Sequence, residues 1–161
     1  MTAQDQAQIV TFRLGDDLFA ADIFSVERVL RYAPPTPIPN VPDWIAGVLD
    51  YRGRVVPVLD LRRRFEMPSR EPVAETRTLV FVANGQWIAA VVDAVLEVAS
   101  VDPSRLAPPP PLFRGLAGEY LRGLVRHGSR LVIYLDVARL LSSTDRLQIE
   151  HAAEAEAVGR G

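Results

Sequence analysis

The chain has 161 residues, 48% of them apolar, enough to bury a core as one ordinary domain or as two small intertwined ones. Its 18 basic and 20 acidic residues leave a net charge of −2, which supplies no global field for nucleic acid or an anionic membrane. Cysteine is absent, which excludes disulfides, thiolate metal sites, iron–sulfur clusters and a cysteine nucleophile. No run approaches the roughly 18–20 apolar residues that span a bilayer, and the opening residues lack the character of a signal peptide, so a cytoplasmic location is the default expectation.

Ile9–Leu14, the turn cluster Gly15-Asp16-Asp17 and Leu18–Ala21 read as a β-hairpin. A β-branched stretch, Val26–Leu30, follows, and then a proline-rich connector to Pro42 in which missing N–H groups forbid a regular ladder. Asp43–Ala46 is read as one helical turn before a second hairpin turning at Arg52-Gly53. Val55–Leu59 is a continuous apolar run of strand length, as expected for a strand buried on both faces. Asp60 stands where a carboxylate caps the short helix Leu61–Phe65.

The same order then returns. Thr78–Ala83, Asn84-Gly85 and Gln86–Val92 form a hairpin whose Asn-Gly turn tolerates the positive φ angles of a type I′ turn. Val95–Val98, the proline-rich Val101–Ala117, a helical turn at Glu119–Arg122, a hairpin turn at His127-Gly128-Ser129, the apolar run Leu131–Leu135 and the cap Asp136 before Val137–Leu141 complete it. Residues 145–161, rich in alanine and glutamate, are a terminal helix or frayed tail.

This recurrence is visible residue by residue. Trp44–Phe65 aligns without gaps on Tyr120–Leu141, 76 positions on, with identities at Gly47/Gly123, Arg54/Arg130, Val56/Val132, Leu59/Leu135, Asp60/Asp136 and Arg63/Arg139. Upstream a weaker echo at an offset of 69 pairs Phe12 with Phe81, Val26 with Val95 and Val29 with Val98. The longer second connector absorbs the difference. Short strands with glycine turns, given twice, indicate two small β-barrels or sandwiches related by approximate two-fold symmetry, with the cleft between them as the natural binding place.

Chemistry is hard to find in this pattern. His127 and His151 fall in a turn and in the tail, without ligand spacing, so neither a metal nor another cofactor is expected. No nucleophile elbow, Walker loop or dinucleotide fingerprint is present. Asp16 and Asp17 are adjacent turn residues that point apart and stay solvated, unlike a general-acid pair. The run Arg62–Arg64 is read as favouring helix C-terminal carbonyls, with a phosphate or RNA contact as the alternative. Pro108–Pro111 is read as a stiff connector rather than a polyproline ligand. By contrast, Tyr51-Arg52-Gly53 displays an arginine and an aromatic on a rigid turn, a composition suited to protein recognition.

Ile38-Pro-Asn-Val-Pro42, Trp44-Ile-Ala-Gly-Val48, Tyr51-Arg-Gly53 and Val55-Val-Pro-Val-Leu-Asp-Leu61, with the prolines before Ile133-Tyr-Leu-Asp136, resemble the CheW-type coupling proteins of bacterial chemosensory systems. The resemblance spans about Ile9 to Leu141. It implies two five-stranded, SH3-like β-barrels with short helices, interleaved around a groove in one domain over residues 9–144, between tails at 1–8 and 145–161. It also implies no catalytic activity: such proteins connect the cytoplasmic tips of methyl-accepting receptors to the regulatory domain of the histidine kinase CheA, in arrays at the membrane that include other CheW-like proteins.

Carried onto this chain, the receptor-binding residues are Val26, Arg28, Gly47, Asp50, Tyr51, Arg52 and Gly53, while exposed apolar residues of the first barrel meet the kinase's homologous barrel. Two departures stand out. Arg28 replaces a usual glutamate and Asp50-Tyr51 replaces Asn-Leu, so the familiar glutamate–arginine arrangement is expected to be missing, with Arg28 pairing with Asp50 or with an acidic receptor residue. The competing readings are a small-barrel nucleic-acid-binding protein, motivated by Arg62–Arg64, and an enzyme with its site in the groove.

Overall fold

The structure is a computed structural model, and it describes residues 6–108 and 120–140. Expectations for Pro109–Pro111, Glu119, Leu141, His151 and the 145–161 segment lie outside the described residues. The first hairpin is β1 (Ala7–Leu14) and β2 (Asp17–Asp22), beginning at Ala7 rather than Ile9. A 3₁₀ turn, Ile23–Ser25, follows under the cap of Asp22, whose carboxylate accepts the Phe24 N–H at 2.8 Å. Then come β3 (Val26–Arg31), β4 (Ile45–Tyr51), β5 (Arg54–Leu59) and a one-turn helix α1 (Leu61–Arg64). The second set is β6 (Arg77–Ala83), β7 (Gln86–Val92), β8 (Ala94–Val101), β9 (Leu121–His127) and β10 (Arg130–Leu135).

These strands make two five-stranded sheets, β8-β1-β2-β10-β9 and β3-β6-β7-β5-β4. The halves of the sequence are exchanged between them: hairpin β1–β2 sits between β8 and β10, and hairpin β6–β7 sits between β3 and β5. Each sheet has a single parallel pairing, β2 with β10 and β5 with β7, at equivalent places. Neither sheet is closed by a ladder between its edge strands among the described residues. Instead each connector lays one bridge on the neighbouring edge, Thr36 on Val48 and Ala107 on Leu124.

Both copies of the glycine in the repeat are explained by those bridges. Gly47 and Gly123 have φ of +148° and +154°, and each lies directly beneath the bridging carbonyl, of Thr36 and Ala107 respectively. The aspartates also behave alike. Asp60 accepts the Arg63 N–H and Asp136 the Ala138 N–H, both at 3.1 Å, while their own amides donate to Trp44 and Tyr120 carbonyls, both at 2.7 Å.

Three apolar clusters account for the continuous apolar runs. Leu59, Leu79, Phe81, Ile88, Phe12, Phe19 and Leu135 fill the space between the sheets. Val56, Val58, Val80 and Ala89 face into the curl of the second sheet, and Ile9, Leu18, Val125 and Val132 into that of the first. Successive residues of one strand, such as Val58 and Leu59, thus serve different cores, and each full burial of this kind contributes about 1.5–3 kcal/mol. The outermost residues of the two runs depart from the expected burial: Val55 and Leu131 are 53% and 52% exposed, because at the hairpin end their outward face has no sheet across it.

Where Asp43–Ala46 and Arg122 were expected in helical turns, the turn is confined to Asp43-Trp44, and Ala46 and Arg122 are already strand. The β-formers Ile45 and Leu121 can pair with Leu59 and Leu135, which outweighs a local turn.

Candidate partner-docking face

At the turn end of the β4–β5 hairpin, Arg52 and Gly53 occupy the two central positions with φ of 51° and 77°. Asp50 stabilises that turn by accepting the Gly53 N–H at 3.0 Å. Tyr51 lies beneath it, buried, with its ring edge against Trp87 at a centroid distance of 4.9 Å. The Arg52 guanidinium lies 5.2 Å from the Tyr51 ring centroid and reaches across the open edge of the sheet to Glu27 of β3, Nη1 to Oε1 3.6 Å.

Glu27 is the residue that sequence reasoning missed. On β3 the pairing runs Val26 with Phe81 and then Arg28 with Val80, so Glu27 has no opposite partner and forms a bulge. A bulged residue loses the strand's alternation and is re-aimed, here toward the Arg52 turn. The glutamate–arginine arrangement expected to be missing is therefore present, supplied by Glu27. Arg28, next along, is exposed and makes no ion pair among the described residues; it does not pair with Asp50, which serves the turn instead.

The other site residues divide by role. Val26 is half-buried at the start of β3 against the inter-sheet core, beside Glu27. Gly47 is buried under the Thr36 carbonyl, so its contribution is to the position of β4 and not to a surface contact. Arg52, Gly53, Glu27, Arg28 and Val26 are thus brought to one end of the second sheet.

Among the described residues no comparable convergence supports catalysis. A cavity of about 160 Å³ near α1 is lined by Asp60, Arg62, Thr76 and Asp93, among others. Each of these polar groups already serves the fold. Asp60 caps α1, Thr76 Oγ1 accepts the Val73 N–H at 2.8 Å, and Asp93 binds Arg62 while accepting the Gly15 N–H at 2.6 Å. Burial, and then the nearby Arg70 charge, lower the pKa of Arg62. Two other shifts are structural as well: burial raises the Tyr134 hydroxyl, and hydrogen bonds from Ser104 lower Asp102, which caps a 3₁₀ turn. Among the described residues no three groups are placed to hold a metal ion.

The basic run that motivated a nucleic-acid reading is dispersed by α1. Arg62 pairs with buried Asp93, and Arg63 lies 3.6 Å from Asp60. Arg64 is buried, hydrogen-bonded to the Tyr120 hydroxyl and stacked between Trp44 and Tyr120 at 4.2 and 4.8 Å. Trp44 and Tyr120 are equivalent residues of the repeat, so Arg64 fills the place where the two halves meet.

Comparison with known proteins bears on the family and the fold. Residues 8–145 match the model of the CheW-like domain. The chain is 33% identical over 147 residues to the chemotaxis protein CheW of Klebsiella aerogenes, covering 91% of this chain and 89% of that protein. It is 36% identical over 125 residues to protein FrzA of Myxococcus xanthus, covering 77% of each. Among solved structures, the scaffolding protein TtCheW of Thermoanaerobacter tengcongensis superposes with a TM-score of 0.78 at 30% identity, over 86% of this chain and 94% of that one. By sequence, fold and repeat, this chain belongs to the CheW-like domain family.

Proposed function

We propose that this chain is a non-catalytic coupling adaptor of a bacterial chemosensory pathway, joining the cytoplasmic tip of a methyl-accepting receptor to the regulatory domain of a CheA-type histidine kinase. The observation that carries the receptor half is the Glu27–Arg52 pair, held across the open edge of the second sheet by a bulge on one side and a rigid turn on the other. Val26 and Arg28 flank it on β3. Exposed apolar residues that the first half of the sequence contributes, Val29 on β3 and Val55 on β5, are offered to the kinase's homologous barrel. The chain's place in membrane-associated arrays would come through the receptor; among the described residues no helix is long and apolar enough to cross a membrane.

Calorimetric titration against the kinase regulatory domain and, separately, a receptor tip from the same genome tests this assignment. Wild type is expected to bind both, and Arg52→Ala to weaken the receptor contact about tenfold while leaving the kinase contact unchanged. Individual affinities of micromolar order would suffice, because repeated contacts in an array supply avidity. Failure to bind either partner at high protein concentration would overturn the assignment.

A further inference from the structure

We propose that Arg54, seated on Trp87 at the open end of the second sheet, receives an acidic side chain of the receptor tip and so selects which receptors this chain accepts; the inference rests on the receptor reading of the Glu27–Arg52 face. Tyr51 and Arg54 are opposite partners that close the β4–β5 hairpin, so their side chains leave the same face of the sheet. The parallel pairing of β5 with β7 brings Trp87, at the start of β7, beside them.

The result is a pair of touching rings with a cation stacked at each end. The Arg54 guanidinium lies 4.8 Å from the Trp87 centroid, Trp87 meets Tyr51 edge to face at 4.9 Å, and Arg52 lies 5.2 Å from the Tyr51 ring. The two arginines differ in one respect. Both are exposed, but Arg52 has Glu27 within the chain, whereas Arg54 has no carboxylate partner among the described residues.

A guanidinium stacked on tryptophan keeps its fork of N–H donors pointing outward while losing rotational freedom in advance, which lowers the entropic cost of gripping a carboxylate. Tryptophan, tyrosine and arginine are also the residues that most often dominate interface energetics. An acidic occupant is favoured by charge, since Glu27 is engaged by Arg52 and Asp50 by the turn, while Arg54 has no carboxylate partner among the described residues. Continuity with the Glu27–Arg52 pair places that occupant on the receptor.

The repeat supplies an internal control. At the corresponding end of the first sheet Arg130 stands for Arg54, but Leu18 stands for Trp87 and His127 for Tyr51, so the platform is built once. The platform thus stands on the sheet that also carries the Glu27–Arg52 pair.

The test titrates wild type, Arg52→Ala, Arg54→Ala and Arg54→Glu with the cytoplasmic-tip fragment of a receptor from the same genome, and with versions of that fragment carrying single acidic-to-lysine replacements. Arg54→Ala is expected to weaken binding about tenfold and to make it less sensitive to salt. Arg54→Glu should weaken it further, and one lysine replacement on the tip should restore it. If Arg52→Ala weakens binding while both Arg54 variants match wild type, the Arg54 assignment is wrong and the receptor reading stands. If wild type itself does not bind the tip, the receptor reading falls and takes this assignment with it. Unchanged melting temperatures of the Arg54 variants would separate lost recognition from lost folding.

Discussion

Replacing Gly47 or Gly123 with alanine is expected to lower the melting temperature by about 10 °C, a loss of about 3 kcal/mol for a chain of this size. Two penalties combine at each position. The φ values of +148° and +154° lie where residues with a side chain rarely sit. In addition, an added Cβ at Gly123 would lie 2.5 Å from the Ala107 carbonyl oxygen, and at Gly47 it would crowd the Thr36 carbonyl more closely still. Those carbonyls accept the amides of Leu124 and Val48 at 2.8 and 2.9 Å, so relieving the clash breaks the bridges that tie each connector to its sheet.

The contrast with the turn glycines gives this expectation its discriminating power. An added Cβ at Gly53 or Gly128 meets nothing within 4 Å, so alanine there carries only the conformational cost of its positive φ, about 1 kcal/mol. Thermal melts of the four variants, followed by circular dichroism, check the ordering. Four similar shifts would mean that the bridges contribute little. Because β4 is positioned by the Thr36 bridge, Gly47→Ala should also weaken receptor binding, and that loss would track stability rather than a missing contact.

Asp93→Ala is the second large effect, expected to cost about 3–5 kcal/mol, because it strips the partner from a charge that has been taken out of water. Asp93 lies at the crossing from β7 to β8 and holds three elements together. Its carboxylate binds Arg62 on α1 and accepts the Gly15 N–H from the β1–β2 turn, while its own amide donates to the Arg13 carbonyl at 2.9 Å. Side chains of Arg62 and Asp93 are only 11% and 12% exposed, so solvent does little to screen the uncompensated guanidinium.

A double-mutant cycle separates the pair from its surroundings. Arg62→Leu with Asp93→Ala should recover much of what Asp93→Ala alone loses, since no buried charge is then left over. Denaturant unfolding of the two single variants and the double variant measures this. If the double variant were less stable than Asp93→Ala by the full cost of Arg62→Leu, the two residues would be acting independently and the buried-pair account would be wrong.

How far these features were legible in the sequence depends on whether they are local. The hairpins could be read because their turns are encoded by neighbours: Asn84-Gly85 adopts φ of 51° and 76°, as a type I′ turn requires. Asp60 and Asp136 could be read as caps because a cap lies a fixed few residues from the amide it serves. The repeat announced two equivalent units, since the same bridges and buried positions are needed twice. What it could not show is that each unit borrows a hairpin from the other half, because strand exchange leaves alternation and turn chemistry unchanged.

The misses share one physical origin, contacts set by tertiary position. Glu27 became the partner of Arg52 through a bulge, and a bulge shifts a strand by one residue without a composition signal. Arg62–Arg64, read as favouring helix C-terminal carbonyls with a phosphate or RNA contact as the alternative, instead meet three different environments, because successive side chains of a helix point about 100° apart. Asp93 carries a signal in the sequence: a lone acid between the apolar runs of β7 and β8 must find a partner or destabilise the fold.

Co-sedimentation of the kinase with vesicles that display the cytoplasmic part of a cognate receptor, with and without this chain, tests the coupling role most directly. Kinase is expected to sediment with the vesicles when the chain is present and to stay in solution when it is absent, with Arg52→Ala reducing recruitment of chain and kinase together. Equal recruitment of kinase without the chain, or failure of the chain itself to sediment with the receptor, would contradict its assignment as the coupler.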